Sequence, residues 1–305
     1  MDIIKIKSKS GYIKGGTNTG VYEFSDKSVL LIDAGHSVNR GIRMGKMLEE
    51  LGLTPDYMMT THEHFDHFEA YAGLKEMYEN IKLMSHPLAK PYIENLYLGM
   101  AYMTASSIPD FFGRRNNGVI SEVLQSGNYT VDRTVSEDIE LRGERIQVIH
   151  TPGHCAGQMI VITPDKVCYL GDAVLDKSVI ESYDMPFLFD IKLHQESLEK
   201  IKKLDFDYGI IGHGRHLHTK EGIDDTIDAN LEVLERYEKD ILALLEDSLT
   251  REELLAALLL KNNIQCNYTT YHYNNSTVGA YVAKLSHEDK IDYEYRDGKI
   301  YYYLK

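Results

Sequence analysis

The stretch "THEHFDH", residues 61–67, sets three histidines, a glutamate and an aspartate within six consecutive positions. His62, His64, Asp66 and His67 bring imidazole nitrogens and a carboxylate out of one turn, and that mixture of donors suits zinc and similar divalent ions. An H-x-H pair alone is weak evidence, whereas the four-residue H-x-H-x-D-H pattern is specific. A polar surface turn uses the same residue types, so partners elsewhere decide between the two. The chain supplies three: "TPGHCAG" puts His154 in a glycine-containing turn, "YLGDAV" puts Asp172 after an apolar run, and "IIGHG" puts His213 after another. Water bound to a divalent ion acidifies to a pKa of about 7, so the chemistry on offer is hydrolysis at neutral pH without a separate base.

Other polar residues near these motifs are less telling. Asp33 in "LLIDAG" has two readings, a carboxylate that orients a ligand imidazole or a turn former. Glu63 reads as a bystander within the motif, and Cys155 as a small inert neighbour of His154. His36, His86, His150 and His194 read as packing or surface groups, while His216 and His218, close to the last motif, keep a proton-donating role open.

Such a site needs a frame. Strand-like runs cover 2–7, 20–24, 28–35, 56–62, 81–86, 145–151, 158–163, 166–172 and 207–213, and several are apolar on both alternations, as strands between two layers are. Helical spacing covers 40–52, 67–79, 91–104 and 194–204. In this frame His62 and His64 leave a strand end on one face, and Asp66 and His67 open the following helix. The mixture predicts an α/β sandwich with its site along one edge. Segment 91–118 is rich in tyrosine, methionine and phenylalanine. It reads as core packing through Ile93, Leu96, Tyr97 and Met100, or as a roof over the site.

The pattern changes near Lys220. Ile223, Ile227, Leu231, Leu234, Tyr237, Ile241 and Leu244 give one long helix an apolar face, and Thr250 with Glu253 forms a capping box before a second helix. A third helix is expected at 276–286, and Asp297-Gly298 between two aromatic, alternating runs signals a closing hairpin. The expected division is a catalytic domain at 1–220 and a helical domain at 221–305 that resembles a winged helix.

The 305 residues carry a formal net charge of −14, which argues against a protein whose main task is to neutralise nucleic-acid phosphates. Residues 221–250 hold two basic and ten acidic side chains, and residues 251–305 seven of each, so the tail lacks the basic stripe of a nucleic-acid reader. It reads as a packing, substrate-covering or dimerising element, with a homodimer through this domain as one expectation. Three unevenly spaced cysteines do not form a disulfide framework. With no apolar leader and no run of membrane-span length, no membrane partner and a reducing cytoplasmic setting are expected.

"THEHFDH", "TPGHCAG", "GDAV" and "GHG", in this order, resemble the metallo-β-lactamase-fold hydrolases. The likeness is to glyoxalase II-like thioesterases and to β-lactamase-like hydrolases with a C-terminal winged helix. It implies a four-layer αββα fold followed by a small α+β domain, and a site for two divalent ions, zinc first with iron or manganese permitted. Carried over by motif, one ion falls to His62, His64 and His154, and the other to Asp66, His67 and His213, with Asp172 bridging. Asp66 is also expected to hold the proton of the nucleophile. The cysteine ligand of the first subclass of zinc β-lactamases has no good match, and β-lactamase activity is not expected.

The implied reaction is attack by metal-bound hydroxide on an ester, thioester or lactone of a small molecule. A phosphodiesterase or endoribonuclease of the same fold is the first alternative, and a non-catalytic metal-binding regulatory protein the second. The complete ligand set counts against the last.

Overall fold

The computed structural model describes residues 1–99, 129–182 and 185–305. Its first sheet follows chain order: β1 (Ile3–Lys5), β2 (Ser10–Ile13), β3 (Thr19–Glu23), β4 (Ser28–Ile32), β5 (Thr54–Met59), β6 (Lys82–Ser85) and β7 (Arg133–Thr134). Pairing is antiparallel as far as β4 and parallel from there on. The second sheet contains β8 (Ile139–Leu141), β9 (Glu144–His150), β10 (Met159–Ile162), β11 (Val167–Gly171), β12 (Tyr208–Ile211) and β13 (His218–Thr219), in the spatial order β13-β12-β11-β10-β9-β8. Helices α1 (Val38–Glu50), α2 (Phe65–Phe68), α3 (Tyr71–Met77) and α4 (Lys90–Glu94) belong to the first half. Helices α5 (Lys177–Ser182) and α6 (Ile191–Lys202) follow in the second.

Alternation along the strands explains four layers. Val29 and Leu31 of β4 pack with Met44, Leu48 and Leu74 of α1 and α3, while Leu30 and Ile32 face the other way, into a cluster shared with Val148, Met159, Val161 and Tyr169. On β10 and β11, Ile160, Ile162, Cys168 and Leu170 turn outward to a third cluster with Leu198 and Ile201 of α6. Each central strand is therefore buried on both faces, which is why its sequence shows no polar alternation. The order is helix, sheet, sheet, helix.

The tail joins the outermost of these clusters. Helices α7 (Lys220–Leu244), α8 (Arg251–Lys261) and α9 (Tyr268–His287) precede a hairpin of β14 (Ile291–Arg296) and β15 (Lys299–Leu304). Ile223, Ile227, Leu234, Tyr237 and Ile241 line the apolar face of α7, with Leu231 and Leu244 partly buried beside them. Leu254, Leu255, Leu258, Val278, Tyr281 and Leu285 continue the same core without a break from β10 and β11. The capping box at Thr250 and Glu253 is present, and Asp297-Gly298 turns the hairpin with both residues at positive φ.

Several element limits differ from those the spacing predicts. The expected helix 67–79 is two short helices, α2 and α3, and α9 begins eight residues before the expected 276. Strands β2, β7, β8 and β13 are not among the runs that the spacing predicts; β7 and β13 are only two residues long. The expected helix 91–104 is interrupted: α4 ends at Glu94 with Ile93 buried, the helix breaks at Asn95 and the chain is helical again over 96–99, and residues 100–118 of the aromatic segment lie outside the described residues.

Helix α7 also grips the loop that follows β11. The buried side chain of Asn230 donates to the carbonyl of Leu175 (2.8 Å) and accepts from its amide (3.1 Å). Asn230→Ala leaves both backbone groups buried without a partner, so it should cost about 2–4 kcal/mol of stability. Denaturant unfolding reads this directly, and a loss near zero would mean that the loop re-pairs freely.

Candidate metal centre

The motif residues lie where the ends of β4, β5, β11 and β12 meet the β9–β10 connection. Strand β5 stops at Met59, so His62 and His64 stand in a turn and not on a strand face. Strand alternation therefore does not set the direction of these two side chains, contrary to the expectation from spacing. Thr61 leaves the ladder because its amide donates to the Asp33 carboxylate (2.8 Å). His64 then occupies the N-cap position of α2, which puts Asp66 in the first turn and His67 in the last.

Each imidazole is held on the side away from the centre. The Thr61 hydroxyl donates to Asp33 Oδ2 (2.9 Å), so its lone pair accepts from His62 Nδ1 (3.0 Å). His67 Nδ1 donates to the same Asp33 oxygen (2.9 Å), His154 Nδ1 to the carbonyl of Phe187 (3.0 Å), and His213 Nδ1 to the carbonyl of Gly16 (2.8 Å). His64 Nε2 lies 3.1 Å from Cys155 Sγ. Fixing one ring nitrogen leaves the other aimed inward, the usual outer support of a ligand histidine.

The inward atoms converge. His64 Nδ1 is 3.0 Å from His154 Nε2, and His67 Nε2 is 3.3 Å from His213 Nε2. Asp66 Oδ2 lies 3.2 Å from His213 Nε2. Asp172 Oδ2 sits between the groups, 3.6 Å from both His67 and His154 and 3.3 Å from His213. Donor atoms of three overlapping sets come within 4.8 Å of one another: His62, His64, His154 and Cys155; His62, His67 and Asp172; Asp66, His67 and His213. All seven expected site residues are thus brought together. Gly212 makes this approach feasible, because a Cβ there would meet Asp172 Oδ1 at 2.5 Å.

A cation fits these donors. His62 Nε2 and Asp172 Oδ1 are buried with no hydrogen-bond partner among the described residues, an arrangement that costs free energy unless something charged or polar meets them. Burial and neighbouring imidazoles hold His62 well below the usual histidine range, and burial pushes His64 down to about 3, so both present neutral lone pairs. Burial opposes charge on His67, but Asp172, Asp33 and Asp66 outweigh it and push the ring up to about 10. Asp172 is the main cause that pushes His213 up to about 12. Burial of Asp172 is outweighed in turn by His213 and His67, which keep it well below the carboxylate range. The carboxylates draw positive charge into the site, as protons or as a metal ion.

Several side chains here carry no clear signal in the sequence. Asn18 donates from its side chain to the carbonyls of Ile211 (3.0 Å) and Gly214 (2.7 Å), and so frames the His213 turn. Buried Arg40 donates to the carbonyls of Ala34 (2.9 Å) and Thr17 (3.1 Å), next to Asp33 and Asn18. Asp33 itself, left between two readings by the sequence, accepts from His67 and Thr61. Glu63 belongs to none of the three donor sets, yet it is 6% exposed, and burial pushes its carboxyl up to about 7 against the pull of the Gly157 and Ala156 amides. Cys155 is buried and held well above the usual thiol range by burial.

The remaining histidines lie outside the cluster. His86 stacks on His150 at 4.1 Å, His194 packs against Gly153, His216 is exposed, and His218 Nε2 lies 3.2 Å from Asp176 Oδ2.

The profile of the metallo-beta-lactamase superfamily matches residues 12–213 of this chain, from β2 to the last cluster histidine. The chain belongs to the metallo-beta-lactamase superfamily. Members of this superfamily are generally hydrolases and typically bind divalent metals. Hydroxyacylglutathione hydrolase of Photobacterium profundum is 28% identical over 158 residues, 50% of this chain and 46% of that protein. A metallo-beta-lactamase fold-containing protein of Sulfurisphaera tokodaii is 27% identical over 178 residues, 57% of this chain and 64% of that one. The matches thus span about half to just under two thirds of these relatives' own length. A beta-lactamase domain protein from Burkholderia ambifaria superposes with a TM-score of 0.78 at 16% identity, covering 100% of this chain and 94% of its own. That likeness shows the superfamily fold and extends it through the C-terminal helices and hairpin.

Two outcomes follow from the outer residues. Asp33→Ala removes the acceptor shared by Thr61 and His67, and should weaken metal affinity by about 10–100-fold in chelator competition. For Glu63, a folded-state pKa above the ordinary carboxyl value means that the ionised form counts against the fold as pH rises from about 4.5 to 7. In metal-free protein Glu63→Gln should therefore gain stability over wild type, and the gain should be roughly 2–3 kcal/mol greater at pH 8 than at pH 5. Equal gains at the two pH values would show that Glu63 ionises normally.

Proposed function

We propose that this superfamily member is a binuclear metal-dependent hydrolase that acts on an ester, thioester or lactone of a small molecule. Zinc is the expected ion, with iron and manganese as alternatives that a His/Asp donor set also accepts. The observation that carries this reading is Asp172 Oδ2, one carboxylate oxygen lying between His154 on one side and His67 and His213 on the other. His62, His64 and His154 would hold one ion, Asp66, His67 and His213 the other, and Asp172 would bridge them. The hydroxyacylglutathione hydrolase likeness supports an acyl substrate, though it spans only about half of either chain.

Bound divalent ions would polarise an acyl oxygen and lower the pKa of water to about 7. The protein's own groups do the rest. The side chain of Asp66 is 45% exposed and that of His213 30%, against 7% or less for His67, His154 and Asp172, so substrate enters on the Asp66 side. Asp66 would keep Oδ2 toward His67 and His213, and its other oxygen, Oδ1, takes the proton of the attacking water and returns it to the alkoxide or thiolate that leaves when the acyl bond breaks. His62, His64 and His154 stay neutral and fixed by their outer partners, so the pocket does not reorganise during the reaction.

The test is a substrate panel on protein loaded with zinc, manganese or iron: a thioester, a lactone, an activated phosphodiester and single-stranded RNA. Turnover of the thioester or lactone is expected, and Asp172→Ala should lower kcat/KM by about 10²-fold or more. Turnover of phosphodiesters alone would replace the acyl reading. No turnover with metal bound would leave a metal-binding protein without catalysis. Full activity in Asp172→Ala would remove the bridge.

A further inference from the structure

The loop 185–190, between α5 and α6, separates the metal centre from the C-terminal helices. On the metal side it holds the "TPGHC" turn by three bonds. The Phe187 carbonyl accepts from His154 Nδ1 (3.0 Å), and the amides of Phe189 and Asp190 donate to the Gly153 carbonyl (2.9 and 3.0 Å). Gly153 has φ 135°, and a Cβ there would meet the backbone of His194 at 2.3 Å, so the turn presses directly on α6.

On the other side the loop is held by α9. Thr277, with 0% exposure, donates from Oγ1 to the Pro186 carbonyl (3.0 Å) and accepts from the Leu188 amide (3.1 Å). The same hydroxyl also lies 3.2 Å from the Tyr273 carbonyl one turn back in its own helix. Its two loop bonds flank Phe187, the residue whose carbonyl fixes His154. The Phe187 ring meets His64 at 5.4 Å, His154 at 5.8 Å and Tyr273 of α9 at 5.4 Å between centroids, so it is wedged between both motif histidines and the helix.

We propose that Thr277 is a positioning residue for the metal centre: by pinning Pro186 and Leu188 from α9, it aims the Phe187 carbonyl at His154 Nδ1. This rests on the reading of His154 as a ligand. The physical argument is one of orientation. A ring whose Nδ1–H is committed to a fixed carbonyl has a single tautomer, with the Nε2 lone pair directed at the centre, where it lies 3.0 Å from His64 Nδ1. Without the Thr277 hydroxyl, Pro186 and Leu188 lose their buried partners, the intervening peptide can rotate, and His154 loses its fixed acceptor. The C-terminal helices then act on the centre through a chain of two hydrogen bonds and one peptide, without touching a metal ion themselves.

The experiment compares Thr277→Val, which keeps the shape and deletes the hydroxyl, with Thr277→Ser, which keeps the hydroxyl. Zinc affinity is read by chelator competition, and the His154 tautomer in metal-free protein by nitrogen NMR of the labelled ring. Thr277→Val should weaken the ion held by His154 by about 10–100-fold, leave the other ion as in wild type, and convert a single Nδ1–H form of His154 into a mixture. Thr277→Ser should match wild type in both readouts. Wild-type affinity and tautomer in Thr277→Val would overturn the proposal. So would an equal fall at both ions with the tautomer unchanged, or a Thr277→Ser variant as weak as Thr277→Val. A wild type that binds no zinc, with a His154 tautomer still sensitive to Thr277→Val, would keep the strap and sink the metal reading.

Discussion

The two sheets are tied together, backbone to backbone, at the edge where the candidate ligands gather. The Met159 amide donates to the Thr61 carbonyl (2.8 Å), and the Asn18 amide to the Gly212 carbonyl (2.8 Å). His62, His64, Asp66 and His67 come from the first sheet, while His154, Asp172 and His213 come from the second. Between the sheets most contacts are side-chain packing, which resists separation better than it resists sliding. A slide of half an ångström would spoil a ligand set, and directional bonds at the shared edge prevent it.

Asp33 does for one sheet what these ties do for two. A single buried carboxylate accepts from the Thr61 amide, the Thr61 hydroxyl and His67, and through that hydroxyl it fixes His62. Two motif histidines therefore share one anchor. The residue has φ 57°, an uncommon conformation outside glycine that aspartate tolerates better than most. One residue both forms the turn and orients a candidate ligand imidazole, so the two readings that the sequence leaves open are not rivals.

The cluster of histidines and aspartates was legible in the sequence because donor chemistry is local: the two residue types at short spacing stand out without any knowledge of the fold. The sandwich was legible for a similar reason, since doubly buried strands are runs of valine, leucine and isoleucine. The supports were not. Asn18, Arg40 and Asn230 are ordinary polar residues until tertiary structure gives them buried carbonyls to meet. The burial of Glu63 carries no signal either, because nothing in "HEH" says that the middle side chain turns inward beside Gly157. His62 and His64 do not follow strand alternation because the carboxylate of Asp33, just past β4, takes the Thr61 amide out of the ladder, a long-range event that periodicity does not record.

The core that runs unbroken from β10 and β11 to α8 and α9 also limits how this protein can change over time. Ile160, Leu170, Leu258 and Tyr281 belong to one packed cluster, so a gain or loss of volume on the sheet is felt by the tail helices. Inheritance must therefore treat the two as a unit in their interiors. The outer side of α7 adds to that coupling, because Glu238 pairs with Lys284 of α9 and with Lys290, and Asp240 with Lys261 of α8.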